Sequence, residues 1–99
     1  MRGPASRSPS PQDLFLLRSE IERIDRALVA LIAERMRITL AAGDVKRASG
    51  QEVIDLAREA EVVRRSAELA REMSLDEEEV RHIFWCLIGL SRRAQLERA

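Results

Sequence analysis

The sequence predicts an all-α protein of three helices, the first much longer than the other two. Three observations carry that expectation. Apolar side chains recur in steps of three and four through Leu14, Leu17, Ile21, Ile24, Leu28 and Leu31, then Ile38, Ala42 and Val45. This is a heptad stripe broken once, at Arg35, and such a stripe marks one helix packed against another. Two later stretches keep helical period behind an aspartate suited to an N-cap, Asp55 and Asp76. No stretch alternates apolar and polar residues as a half-buried strand does, and no segment repeats.

Residues 1–11, MRGPASRSPSP, hold all three prolines and three serines without an apolar face, and read as a disordered tail ahead of a single domain at 12–99. Helix 1 is expected to start between Pro11 and Asp13, with Ser10 or Asp13 as its cap. It runs about nine turns to Lys46 or Arg47. Gly43 weakens its last turns by ~1 kcal/mol relative to alanine, and Ser49-Gly50-Gln51 reverses the chain. Helix 2 follows from Asp55 to about Met73, with Val62, Val63, Ser66, Leu69, Ala70 and Met73 as its apolar face. One turn earlier that face carries Glu59, with Arg58 at its edge, while Arg64 and Arg65 lie on the solvated side. Met73-Ser74-Leu75 is a connector. The acids Asp76 to Glu79 have the spacing of a first helical turn, where negative charge meets the helix dipole, rather than that of a metal site. Helix 3 then runs to about Glu97 with Val80, Ile83, Phe84, Leu87, Ile88, Ser91 and Ala94 or Gln95 on one side.

Composition narrows the function class. Aromatic residues are 3% of the chain, so the core is aliphatic, as in helix bundles. Basic and acidic residues both number 17, which offers no global charge for nucleic acid. No apolar run approaches the ~20 residues of a membrane span, and the N-terminus has no apolar signal core. Cys86 is the only cysteine, which excludes an internal disulfide and fits a cytoplasmic protein. Cys86 is expected to pack as a small apolar residue, and His82, out of phase with the core face, to lie on the surface.

The lengths are unequal. Helix 1 is roughly 50 Å long and the others nearer 30 Å. Two short helices cannot cover the whole stripe within one compact chain, so the remainder is expected to face a second copy in a homodimer.

Five polar residues sit on or beside faces that should be apolar: Arg35, Lys46, Glu59, Ser91 and Gln95. Each alone has a plain structural explanation. Arg35 suits a heptad specificity position or an ion pair with Glu59. Lys46 suits the dipole at a helix end, and Ser91 with Gln95 suits an interface hydrogen bond. Arg35 and Lys46, eleven residues apart, project from nearly the same side of helix 1, about 16 Å apart along its axis. Together the five residues bring polar groups from three helices into one apolar interior, which favours a buried site for a small dianion. Arg18 flanks the stripe about 25 Å from Arg35 along the axis. A site that uses Arg18 therefore belongs to the partner chain, in an antiparallel pair of first helices.

The set Arg18, Arg35, Lys46, Asp55, Arg58, Glu59, Ser91 and Gln95 resembles the all-helical chorismate mutase family. The segments that carry the likeness are LLRSEIERIDRALVALIAER, GDVK, VIDLARE and SRRAQ, which span residues 14 to about 96. The resemblance implies an intertwined homodimer with two equivalent sites, each completed by Arg18 of the other chain. It implies the Claisen rearrangement of chorismate to prephenate, with no cofactor and no metal. In that picture Arg18, Arg35 and Arg58 bind the two substrate carboxylates, assisted by Ser91. Lys46 and Gln95 hydrogen-bond the ether oxygen. Glu59, with the backbone near Asp55, holds the ring hydroxyl. Gly43-Asp44 and Ala57 are departures expected to lie outside the contact positions. Catalysis without nucleophile or base then rests on holding the reactive conformer and on preorganised donors at the developing charge. The same fold also serves an isochorismate pyruvate-lyase and a mutase of 4-amino-4-deoxychorismate, so these analogues are the alternative substrates. A non-catalytic oligomerisation module is the alternative of another class.

Overall fold

Helix caps written into the sequence set the boundaries of three helices in the computed structural model, which describes residues 8–98. The N-terminal tail expected over 1–11 falls mostly outside those residues. The first helix, α1, spans Pro11–Ala48. Its start is a reciprocal cap: the Asp13 amide donates to Ser10 Oγ at 3.3 Å and the Ser10 amide to Asp13 Oδ2 at 2.9 Å. Its end is a Schellman turn, with the Gln51 amide on the Lys46 carbonyl (2.8 Å) and the Gly50 amide on the Arg47 carbonyl (3.2 Å). Gly50 takes φ +74° there, a conformation that glycine adopts without a Cβ penalty.

The second helix, α2, spans Leu56–Glu72 with Asp55 as N-cap, its carboxylate accepting from the Arg58 amide at 3.0 Å. The same Schellman geometry closes it, the Leu75 amide on the Ala70 carbonyl (2.8 Å) and the Ser74 amide on the Arg71 carbonyl (3.2 Å). Here Ser74 occupies the left-handed position, at φ 60°. A non-glycine residue pays roughly 1 kcal/mol for that conformation. Ser74→Gly should therefore stabilise the protein by roughly 0.5–1 kcal/mol, read as a higher urea midpoint at unchanged m; a lower midpoint would refute it. The third helix, α3, spans Glu77–Arg98. The Asp76 carboxylate accepts from the Glu79 amide at 2.9 Å, and Glu77 is tied to Arg71 at 2.9 and 3.1 Å. The acidic run is thus used in capping and ion pairing.

The chain divides into two compact units, Met1–Ala33 and Glu34–Ala99. In the first, the described residues are all helix from Pro11 onward, and the apolar stripe is open: Leu14, Leu17, Ile21, Ile24, Leu28 and Leu31 are between 47% and 61% exposed. In the second, α2 packs along α3. The face of α2 that meets it is Val63, Ser66, Ala67 and Ala70, the i, i+3, i+4, i+7 spacing of one helix side. This corrects the expected face by a fraction of a turn: Ala67 is buried, whereas Leu69 and Met73 are 44% and 68% exposed. The small side chains let the helices approach closely, and the Ser66 hydroxyl is satisfied on the Val63 carbonyl at 2.6 Å. On α3, Ile88, Ser91 and Gln95 are buried but Ile83 is 54% exposed. Cys86 is exposed too, contrary to the packing role expected of it, and its Sγ lies 3.9 Å from Nε2 of His82 one turn earlier. Among the described residues no helix is long and apolar enough to cross a membrane.

Candidate active site

Within the second unit, the last four turns of α1, the α1–α2 connection, the start of α2 and the second half of α3 enclose a cleft of about 250 Å³. Its apolar floor is Ile38, Ala42, Val62 and Ile88. Seven of the eight residues singled out in the sequence line it: Arg35, Lys46, Asp55, Arg58, Glu59, Ser91 and Gln95. The eighth, Arg18, belongs to the first unit, is exposed, and is not among the lining residues.

The polar groups differ in how they are engaged. Arg35 is half-buried and makes no ion pair among the described residues, so the pairing with Glu59 that the sequence allowed does not form. A guanidinium of this kind is poised for an anionic ligand. Lys46 Nζ donates to the Val53 carbonyl at 3.3 Å, which ties the end of α1 to the α1–α2 connection and leaves two ammonium hydrogens for the cleft. Glu59 is gripped instead by Arg92, with Nε on Oε2 at 2.9 Å and Nη2 on Oε1. The hydrogen bond to Glu59, and then its charge, hold the Arg92 proton more tightly than in a free guanidinium. The Asp55 carboxylate is occupied in capping α2, and the Arg58 guanidinium rests on Glu61 at 2.7 Å. That second pair is exposed and weak, so it yields readily to a competing carboxylate.

Gln95 is 6% exposed and satisfied at both ends of its amide. Nε2 donates to the Thr39 carbonyl at 2.9 Å, and Oε1 accepts from Arg47 Nη2 at 3.2 Å. Gly43 lies directly beneath: a Cβ at this position would stand 2.5 Å from Oε1 and 2.6 Å from Nε2. Gly43 does not line the cleft, yet it is more than a weak point in the helix, because the Gln95 amide lies against it. Arg47 is braced by Asp44 at 3.1 Å. Asp44 is held in turn by Arg98, whose hydrogen bonds lower the aspartate's pKa below the ordinary carboxylate range.

Sequence reasoning missed Arg92 and Arg47. A signal for Arg92 was available, because Ile88, Ser91, Arg92 and Gln95 follow the i, i+3, i+4, i+7 spacing. Nothing comparable marked Arg47, whose partner is 48 residues away.

The family model for chorismate mutase type II matches residues 17–96. The chain belongs to that family. It is 32% identical over 92 residues to the bifunctional chorismate mutase/prephenate dehydratase of Escherichia coli K12. It is 30% identical over 80 residues to the protein of the same description from Buchnera aphidicola subsp. Schizaphis graminum. Those matches cover 90% and 81% of this chain but only 24% and 21% of the relatives. This member of the chorismate mutase type II family thus spans about a quarter of the length of the curated proteins it matches.

Proposed function

We propose that the cleft rearranges chorismate to prephenate, and that the working unit is a homodimer. The observation that carries the reading is the convergence of Arg35, Lys46 and Gln95 on one small cleft in which Arg35 pairs with no anion among the described residues. A dicarboxylate supplies that charge. Arg35 orients one carboxylate, and Arg58 and Ser91 assist once Arg58 leaves Glu61. Lys46 and the free amide hydrogen of Gln95 point to the ether oxygen, where negative charge grows as the C–O bond breaks and the new C–C bond forms. A pericyclic step of this kind moves no proton, so positioning and electrostatics suffice.

Glu59 receives the ring hydroxyl. With both oxygens already engaged by Arg92, this carboxylate is largely neutralised. A neutral hydroxyl fits beside such a pair better than an ammonium does, which favours chorismate over 4-amino-4-deoxychorismate. The open stripe from Leu14 to Leu31, with exposed Leu69 and Ile83, supports a second copy as its cover. Arg18 lies beside that stripe and would complete the partner's site. The reading also places the protein in the cytoplasm.

The deciding experiment mixes purified protein with chorismate and follows loss of substrate and formation of prephenate, with isochorismate and the 4-amino analogue run in parallel. Turnover of chorismate is expected to exceed that of both analogues. A folded dimer that leaves chorismate untouched would favour the oligomerisation module instead.

A further inference from the structure

We propose that Arg47 and Gly43 are positioning residues for Gln95, fixing which end of its side-chain amide is presented to the cleft. Neither residue lines the cleft itself. The two ends of an amide are told apart only by their partners. A guanidinium has no acceptor, so Arg47 can hold only Oε1; the Thr39 carbonyl has no donor, so it can hold only Nε2. Turning the amide over would oppose donor to donor and acceptor to acceptor, losing two hydrogen bonds in a nearly dry place. The surviving orientation commits one Nε2 hydrogen to Thr39 and leaves the other as the amide's single free donor.

Gly43 makes this possible. Thr39, Gly43 and Arg47 are spaced by four along α1, so they form one row on the helix surface. The amide of Gln95 lies across that row from the carbonyl of the first to the guanidinium of the third. The middle position must carry no Cβ, given the 2.5 Å approach. Asp44 at 3.1 Å, itself clasped by Arg98, steadies the Arg47 fork from the solvent side.

The kinetic arm of the test rests on the chorismate mutase reading; the spectroscopic arm does not. In the ¹⁵N-labelled full chain, the Gln95 side-chain amide pair is identified by its loss in Gln95→Ala. It should be widely split and slow to exchange in the wild type. Arg47→Ala should collapse it to the position of exposed glutamines, and Arg47→Lys, which still offers a donor to Oε1, should restore part of the splitting. With chorismate, Arg47→Ala and Gly43→Ala should each lower kcat roughly tenfold with KM moved less. In a Gln95→Ala background neither should lower it further. Alanine at 43 is otherwise a better helix former than glycine. Gly43→Ala should therefore raise Tm once Gln95 is gone, even if it destabilises the protein while Gln95 is present. An unmoved amide signal in Arg47→Ala, or kcat losses that add to that of Gln95→Ala, would overturn the role of Arg47. Equal destabilisation by Gly43→Ala in both backgrounds would overturn that of Gly43. A protein inert toward chorismate sinks the proposed function while the amide signal still decides the positioning.

Discussion

Lys46→Ala should cost about 10²–10³ in kcat, the loss typical of removing one preorganised donor from a developing oxyanion, while leaving helix content and oligomeric state unchanged. The ammonium is the only full positive charge proposed for the ether oxygen, and it works inside a cleft floored by Ile38, Ala42, Val62 and Ile88. In such surroundings the attraction is far less screened than in water. The structural cost is small by comparison. Lys46 holds the Val53 carbonyl at 3.3 Å, a part-buried bond worth about 1 kcal/mol, and that carbonyl can turn to solvent. Far-ultraviolet circular dichroism and gel filtration, run beside the prephenate assay, separate the two effects. Full activity in the variant would show that the ether-oxygen donor is another group.

Much of this arrangement was legible because it depends on local chemistry. Asp55 and Asp76 announce helix starts through their carboxylates, and Gly50 announces the reversal through its φ. Arg35 and Lys46 share a helix side by spacing alone, so their convergence follows from period. Which partner each charge finds does not follow from period. Glu59 was equally well placed in sequence for Arg35, yet it is Arg92 that reaches it, because that choice depends on how α3 is rotated against α2. The rotation is set by Val63, Ser66, Ala67 and Ala70, whose small size counts for more than the greater hydrophobicity of Leu69 and Met73. The contact of Gly43 with Gln95 was hidden for a related reason. A glycine in a helix looks like a propensity cost until the side chain lying across it is seen.

The proposed sharing of sites between chains predicts a recovery of activity from two inactive proteins. On that proposal Arg18→Ala removes a substrate-binding group from the partner's site and Lys46→Ala removes the donor from the chain's own, so either homodimer should be nearly inactive. Unfolding the two together in equal amounts and refolding gives half mixed dimers by chance. In each mixed dimer one site combines the intact Lys46 of one chain with the intact Arg18 of the other, and the second site lacks both. Activity should therefore return to about a quarter of wild type, the fraction of sites left whole by a two-fold symmetric exchange. The exposed stripe of Leu14, Leu17, Ile21, Ile24, Leu28 and Leu31 gives the chains a reason to pair: half-exposed aliphatic side chains in an unbroken row stabilise strongly once covered. Arg18 sits four residues after Leu14 and one after Leu17, at the rim of that seam, where a long side chain can extend past it to a neighbour. A mixture no more active than its parents would place Arg18 in its own chain's site or in none. Since each parent is tested alone under the same refolding, a poor yield of folded protein would be seen there and would not pass for failed complementation.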